Sequence, residues 1–319
     1  MATAQEITNT LNALAKTQRT RTMLGKLSEK YDPFHVLIST IHPPREVWNA
    51  TKGSHWTFLF SLGAVYFFYM LFLDTWGLIH ILRNFFGHPL QWSKILKARA
   101  RSYLVSIVNY GAGQAALAYL VAREEKKTLA QSAALMIFIS LTDLYWILTF
   151  AFVGCFFHSP VIEGYRPQGA MTLLWAIGTA FFLILVGFRR FLRPAFLAPF
   201  RLISIPHFFS AMISRLPTAI SPVLVFYFIP PAFGVTLSIG RILSCMPLVL
   251  LVGALPITPG GLGAVQIAFV ELMKDGVVTS PNASPESVLL SMSLVWTFIN
   301  YFWKALFGTW SLRNNLLKE

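Results

Sequence analysis

After residue 56 the chain reads as a series of apolar runs separated by short polar loops. The runs lie at 57–82, 102–122, 128–157, 169–188, 217–233, 235–258, 262–273 and 287–311, with a Pro-punctuated stretch at 199–216 that reads as interfacial. A helix rising 1.5 Å per residue needs about 20 residues to cross a hydrocarbon layer of ~30 Å. By that measure the pattern predicts six full spans and two short pieces, 102–122 and 262–273, both interrupted by glycine. The expected fold class is all-α, a polytopic integral membrane helical bundle in which the two short pieces are re-entrant helices. Residues 1–56 are mixed and polar. There Leu11, Leu14, Met23, Leu24 and Leu27 suggest one or two amphipathic helices, ended by His42-Pro43-Pro44. The expected domains are therefore a polar cytosolic or surface segment at 1–56, a membrane domain at 57–312 and a short cytosolic tail at 313–319.

The two interrupted pieces share a design. In the first, Asn109-Tyr110-Gly111-Ala112-Gly113-Gln114 precedes the apolar run 115–122. In the second, Pro256-Ile257-Thr258-Pro259-Gly260-Gly261-Leu262-Gly263-Ala264-Val265-Gln266 precedes 267–273. Each has helix-breaking or small residues, then a Gln, then a run of seven or eight residues, which rises only about 12 Å. Open backbone at membrane depth survives only where it is buried in protein or lines a wet cavity. Paired Gly/Pro-interrupted segments in the two halves of a transporter point to its substrate site. A helix N-terminus also offers free N–H groups to an anion. Tight helix packing through glycine is the competing explanation, stronger for the first break than for the second.

Composition supports the membrane assignment. Of 319 residues, 55% are hydrophobic and only 12% charged, against about 25% charged in a typical soluble domain. The net charge is +13. Because the bases sit in short loops between apolar runs, this charge reads as the positive-inside rule and attraction to anionic headgroups, and no nucleic-acid partner is expected. Arg189, Arg190, Arg193 and Arg201 make a basic loop, the tail carries Arg313 and Lys318, and the loops 158–168 and 274–286 are nearly neutral. This places 189–201 and the C-terminus in the cytoplasm. If all eight runs cross, Arg83, Lys94, Lys97, Arg99 and Arg101 fall outside, against the rule. Either a short run does not cross, or this basic stretch is an amphipathic surface helix.

Four charges interrupt apolar runs: Asp74, Asp143, Arg241 and Lys304. Each costs roughly 2.5–3.5 kcal/mol at a helix centre, so such residues face the protein interior and pair. Asp143 with Arg241 or Lys304 is the expected pair, and Asp74 is expected near the headgroups. The histidines and the cysteines Cys155 and Cys245 show no metal spacing, and no nucleotide or hydrolase motif occurs. No metal, no cofactor and no enzymatic activity are expected. The sequons at Asn49 and Asn282 read as chance matches.

Pro256-x-Thr258-Pro259-Gly260-Gly261-Leu262-Gly263 in a late apolar run resembles the signature of the lysylphosphatidylglycerol synthase transmembrane region, a flippase-like module also found in stand-alone bacterial membrane proteins. Asn109 before a Gly-rich break and Leu141-Thr142-Asp143-Leu144 are similar to two further family stretches. The resemblance covers about residues 57–312. It implies a lipid flippase or amphiphile transporter of the bacterial cytoplasmic membrane, with two facing re-entrant helices and without the aminoacyl-transferring domain. The alternative is a membrane subunit or intramembrane enzyme acting with a partner on lipid-linked substrates. Where the family has Glu after each break, this chain has Gln114 and Gln266, and the first break lacks the family's Pro and Arg. A Gln holds neither charge nor a transferable proton. The candidate substrate-binding set is Asn109, Gly111, Gly113, Gln114, Asp143, Arg241, Thr258, Pro259, Gly260, Gly261, Gly263 and Gln266. Expected partners are membrane lipids, anionic phospholipid foremost, with a second copy of the chain or a separately encoded synthase as protein partners.

Overall fold

A computed structural model describes residues 44–157, 168–187, 204–254, 262–277 and 284–316. The chain divides into two compact units, Met1–Pro44 and Arg45–Glu319, and the account below concerns the second. The amphipathic helices expected before residue 43, the basic stretch 189–201 and the candidate site residues Thr258, Pro259, Gly260 and Gly261 lie outside the described residues.

The described residues are helical: α1 (Pro44–Lys52), α2 (Trp56–Phe86), α3 (Trp92–Val108), α4 (Tyr110–Glu124), α5 (Leu129–Phe157), α6 (Gln168–Gly187), α7 (Ile205–Val225), α8 (Ile239–Ala254), α9 (Ala264–Met273) and α10 (Pro285–Leu316). Among the described residues, four stretches are long and apolar enough to cross a membrane: α2, α5, α6 and the segment Ile205–Phe233 that begins with α7. The expectation of six spans is thus met only in part. The run 235–258 contains α8, only 16 residues long, and α10 has the length of a span but a more polar sequence, including Asn300 and Lys304. The stretch 199–216 is not separate from 217–233. From Ile205 it is one helix that runs through Pro217 and Pro222 to Val225.

α3 and α4 are joined by a single extended residue, Asn109 (φ −157°, ψ 132°), whose Oδ1 accepts from the Ala112 N–H at 3.1 Å. Asn109 thus ends one helix and caps the next. The two helices fold back on each other. A methyl group on Gly113 would lie 2.6 Å from Ser106 Cβ, so only glycine admits this approach. At the other end of the hairpin, His88 Nε2 lies 4.0 Å from Glu125 Oε2, and the Lys127 ammonium sits 5.1 Å over the Phe86 ring. The first break therefore makes a hairpin with both feet on one face. Its second arm is the full 15-residue α4, longer than the expected half-helix, because the break falls before Gly111 and both glycines join the first turn.

α8 and α9 form the matching pair. Near the tip, a methyl on Gly253 would meet Val265 Cγ2 at 3.2 Å. At the feet, Arg241 Nε and Nη2 both donate to the Leu272 carbonyl at 3.2 Å, and Nη2 lies 3.6 Å from Asp275 Oδ2. Arg241 therefore clamps the base of this hairpin. It does not pair with Asp143 as expected, because it stands in the first turn of α8, at the far end from the tip. Gly263, at φ +91°, turns the chain into α9 in a conformation that favours glycine. α5 buttresses the pair: the Ser244 hydroxyl donates to the Gly154 carbonyl at 2.8 Å.

The order long helix, hairpin, long helix occurs twice, as α2, α3/α4, α5 and as α7, α8/α9, α10, with α6 between. α2 and α7 run antiparallel, since Asp74 meets Arg215 and His80 meets Ser210. The feet of the two hairpins accordingly lie on opposite faces, an inverted repeat. Arg83, Lys94, Lys97, Arg123, Lys126, Lys127 and Arg313 gather at one face. The other carries Glu271, Asp275 and Glu286 against Lys52 and Lys274. This folding back removes the charge conflict in the linear reading, because 102–122 returns to the face it left. Lys126→Cys and Arg313→Cys are expected to react with an impermeant maleimide from one side of sealed vesicles, and Lys52→Cys and Asp275→Cys from the other. Labelling of all four from one side contradicts this topology.

Candidate functional site

The deepest polar feature is a charge network halfway along the long helices. Arg215 of α7 is 1% exposed. Its Nε and Nη2 grip Asp143 of α5 through both carboxylate oxygens, each at 2.8 Å, and its Nη1 reaches Asp74 Oδ1 of α2 at 2.7 Å. Arg99 of α3 binds the other oxygen of Asp74 through Nε and Nη2. The Tyr103 hydroxyl donates to that same oxygen at 3.0 Å, and the Arg99 guanidinium stacks 5.0 Å from the Tyr103 ring. The fork geometry of guanidinium on carboxylate makes these charge-assisted bonds directional as well as strong.

Two adjoining chambers surround the network. The polar chamber, about 200 Å³, is lined by Asp74, Arg99, Tyr103, Gln114, Asp143, Arg215, Thr218, Asn300 and Lys304, among others. The second, about 330 Å³, is mostly apolar and is lined by Leu144, Ile147, Ala219, Pro222, Val249, Leu250, Gly253, Ala254 and Val265. Tyr110, Asp143 and Thr218 belong to both. Tyr110 stands at the tip of the first hairpin, and Gly253, Ala254 and Val265 stand at the tip of the second. Both hairpins therefore end at one divided cavity.

The predicted site residues separate into three groups. Gly113, Gln114 and Asp143 line the polar chamber. Asn109, Gly263 and Gln266 shape the tips: the buried Gln266 accepts from the Gly263 N–H at 2.7 Å and reaches Thr297 of α10 at 3.2 Å. A Glu could accept the same N–H, so Gln266 is first a helix cap. Gly111 is exposed beside the Asn109 cap, and Arg241 lies at the foot of its hairpin. Lys304 does not pair with Asp143, because Arg215 already occupies both oxygens. Asp74 is not at the headgroups: α2 extends to Phe86, which brings Asp74 near mid-helix.

Sequence reasoning missed Arg215, Arg99 and Tyr103. Arg215 was assigned to an interfacial stretch. Arg99 was grouped with four surface bases, although Ile95, Arg99, Ser102, Tyr103 and Ser106 follow the i, i+4, i+7 spacing of one helix face, distinct from that of Lys94, Lys97 and Arg101.

Such a network, enclosed by long apolar helices that end in paired hairpins, agrees with a comparison against protein families. The family model described as Lysylphosphatidylglycerol synthase TM region matches residues 36–308. The chain belongs to this family. The match includes both hairpins and every residue of the charge network, so this member of the family is a membrane protein whose shared region contains the whole cavity. Comparison with curated proteins and with solved structures returns no match.

Removing one member of a buried ionic network strands its partners, at a cost of about 3–5 kcal/mol. Arg215→Gln, which leaves Asp143 without its guanidinium, is expected to unfold at markedly lower temperature in detergent. Asp275→Asn, whose carboxylate is 62% exposed, is expected to change stability by less than about 1 kcal/mol. Equal melting temperatures for wild type and Arg215→Gln contradict this assignment.

Proposed function

We propose that the chain translocates a lipid or similar amphiphile across a bacterial cytoplasmic membrane, with its basic face in the cytoplasm, and that it is not an enzyme. One observation carries this reading: the tips of two inverted hairpins border a cavity divided into a polar chamber and an apolar one. A headgroup needs a hydrogen-bonding site at membrane depth, and its chains need an apolar route beside it. The two chambers supply both and share Tyr110, Asp143 and Thr218.

The inverted repeat supports the same reading. Two similar halves of opposite orientation can exchange roles, so that the site opens to one face and then to the other by rocking around fixed tips. The carboxylates of Asp74 and Asp143 are engaged by arginines, which suits a chamber built to hold charge in place. The basic face satisfies the positive-inside rule if it faces the cytoplasm. Translocation down a lipid gradient requires no further chemistry from the chain.

Reconstituted protein is expected to equilibrate a fluorescent phospholipid between vesicle leaflets faster than protein-free vesicles do. Leu250→Trp, which fills the apolar chamber, is expected to slow this transfer about tenfold or more while leaving the helical circular dichroism unchanged. Vesicles with wild-type protein that transfer no faster than protein-free vesicles overturn the proposal.

A further inference from the structure

We infer that translocation by this chain is coupled to a proton, that Lys304 takes up and releases that proton, and that lipid and proton cross in opposite directions. The inference rests on the translocation reading above and adds an energy source to it.

The polar chamber brings charged or titratable side chains together from α2, α3, α4, α5, α7 and α10, and all but one are committed. Arg215 holds both oxygens of Asp143. Asp74 is held by Arg215, Arg99 and the Tyr103 hydroxyl. Protonating either carboxylate breaks charge-assisted bonds to a guanidinium, and a guanidinium does not deprotonate in a protein. The phenols of Tyr66, Tyr103 and Tyr110, and that of Tyr301 on the same helix as Lys304, keep their protons at neutral pH. Lys304 remains. Among the described residues its ammonium makes no hydrogen bond or ion pair, and it rests 5.7 Å from the Tyr103 ring and 5.9 Å from the Tyr301 ring. Such ring contacts offset only part of an ammonium's lost hydration.

Lys304 also lines the space that must open and close. The chamber, about 200 Å³, has room for several water molecules. While it is open to one face, water hydrates the ammonium. A lipid that enters displaces this water, and the carboxylates that could take its place are already engaged. Closing the loaded chamber over an unpaired ammonium is costly, and passing the proton to the departing water removes that cost. The ammonium becomes a neutral amine, and its proton leaves with water at the face from which the lipid came. At the opposite face the lipid departs, water returns, and the amine takes a proton from that side. The emptied chamber then closes over its water and carries the ammonium back. Each lipid thus moves one way as one proton moves the other.

The test places the full chain in sealed vesicles with a pH step of about one unit, and valinomycin with equal potassium on both sides holds the membrane potential at zero. Separate vesicles carry a trace of acyl-labelled fluorescent phosphatidylethanolamine, phosphatidylcholine or phosphatidylglycerol. An impermeant reductant reads the outer-leaflet fraction, with protein-free vesicles as the baseline. Every probe that the wild-type chain moves is expected to gather in the leaflet facing the acidic side, towards a ratio of about tenfold for one proton per lipid. Nigericin, which collapses the step, should even the leaflets out. Lys304→Gln has no proton to exchange, so its leaflets are expected to stay even under the step while still equilibrating faster than protein-free vesicles. It removes an unpaired charge, and its melting temperature should match or exceed that of wild type. Lys304→Arg cannot release its proton and is expected to move the probes about tenfold or more slower than wild type. Even leaflets with wild-type protein that still speeds transfer overturn this inference and leave the translocation reading standing. Gathering on the alkaline side, a gradient effect that survives in Lys304→Gln, or loss of all transfer in that variant also overturns the inference. No transfer of any probe by the wild-type chain overturns the translocation reading and this inference together.

Discussion

Hydrocarbon solvates neither charges nor open backbone, and the arrangement of this bundle follows from that constraint. Two aspartates and two arginines on α2, α3, α5 and α7 can exist at mid-depth only by neutralising one another. Arg215 does most of this, holding both oxygens of Asp143 and one of Asp74. Because its guanidinium is rigid and planar, the network sets the rotation of three long helices about their axes, and Arg99 brings the first hairpin into register with them.

The same constraint governs the hairpins. A chain that stops halfway through a membrane must satisfy its turn internally. Asn109 does so by capping α4 with its own side chain, and Gln266 does so by accepting the Gly263 N–H from inside the next turn. Gly113 then permits the arms of the first hairpin to touch. The repeat is inverted in architecture but unequal in chemistry. The first half contributes Asp74, Arg99, Tyr103 and Asp143 to the polar chamber. The second half contributes Arg215 and Lys304 to it, together with the apolar wall of α8 and α9. This inequality gives one cavity two solvent characters side by side.

Much of this was legible in the sequence. Long apolar runs identified α2, α5 and α6, and the Gly-rich breaks located the hairpins, because helix-breaking residues in an apolar run have few other uses. Asp143 stood out as a charge in a run where charge is expensive. The pairing of Asp143 was not legible, since a guanidinium can approach from any neighbouring helix and sequence distance says nothing of which. Arg215 was obscured by the prolines around it, which read as interface although the helix continues through them. Arg241 looked like an interior charge because its run is apolar, and only the fold-back of α9 places the Leu272 carbonyl beside it. The charge asymmetry between faces was equally hidden until 102–122 was seen to return to its starting side.

The central claim is that the two hairpin tips face one another across one cavity. Cross-linking tests it most directly. In a chain with Cys155 and Cys245 replaced by alanine, Tyr110→Cys and Val265→Cys should be joined within one chain by a short bifunctional thiol reagent, in membranes and before any solubilisation. Failure to join them, with both cysteines reactive to a small permeant maleimide, would contradict the shared cavity.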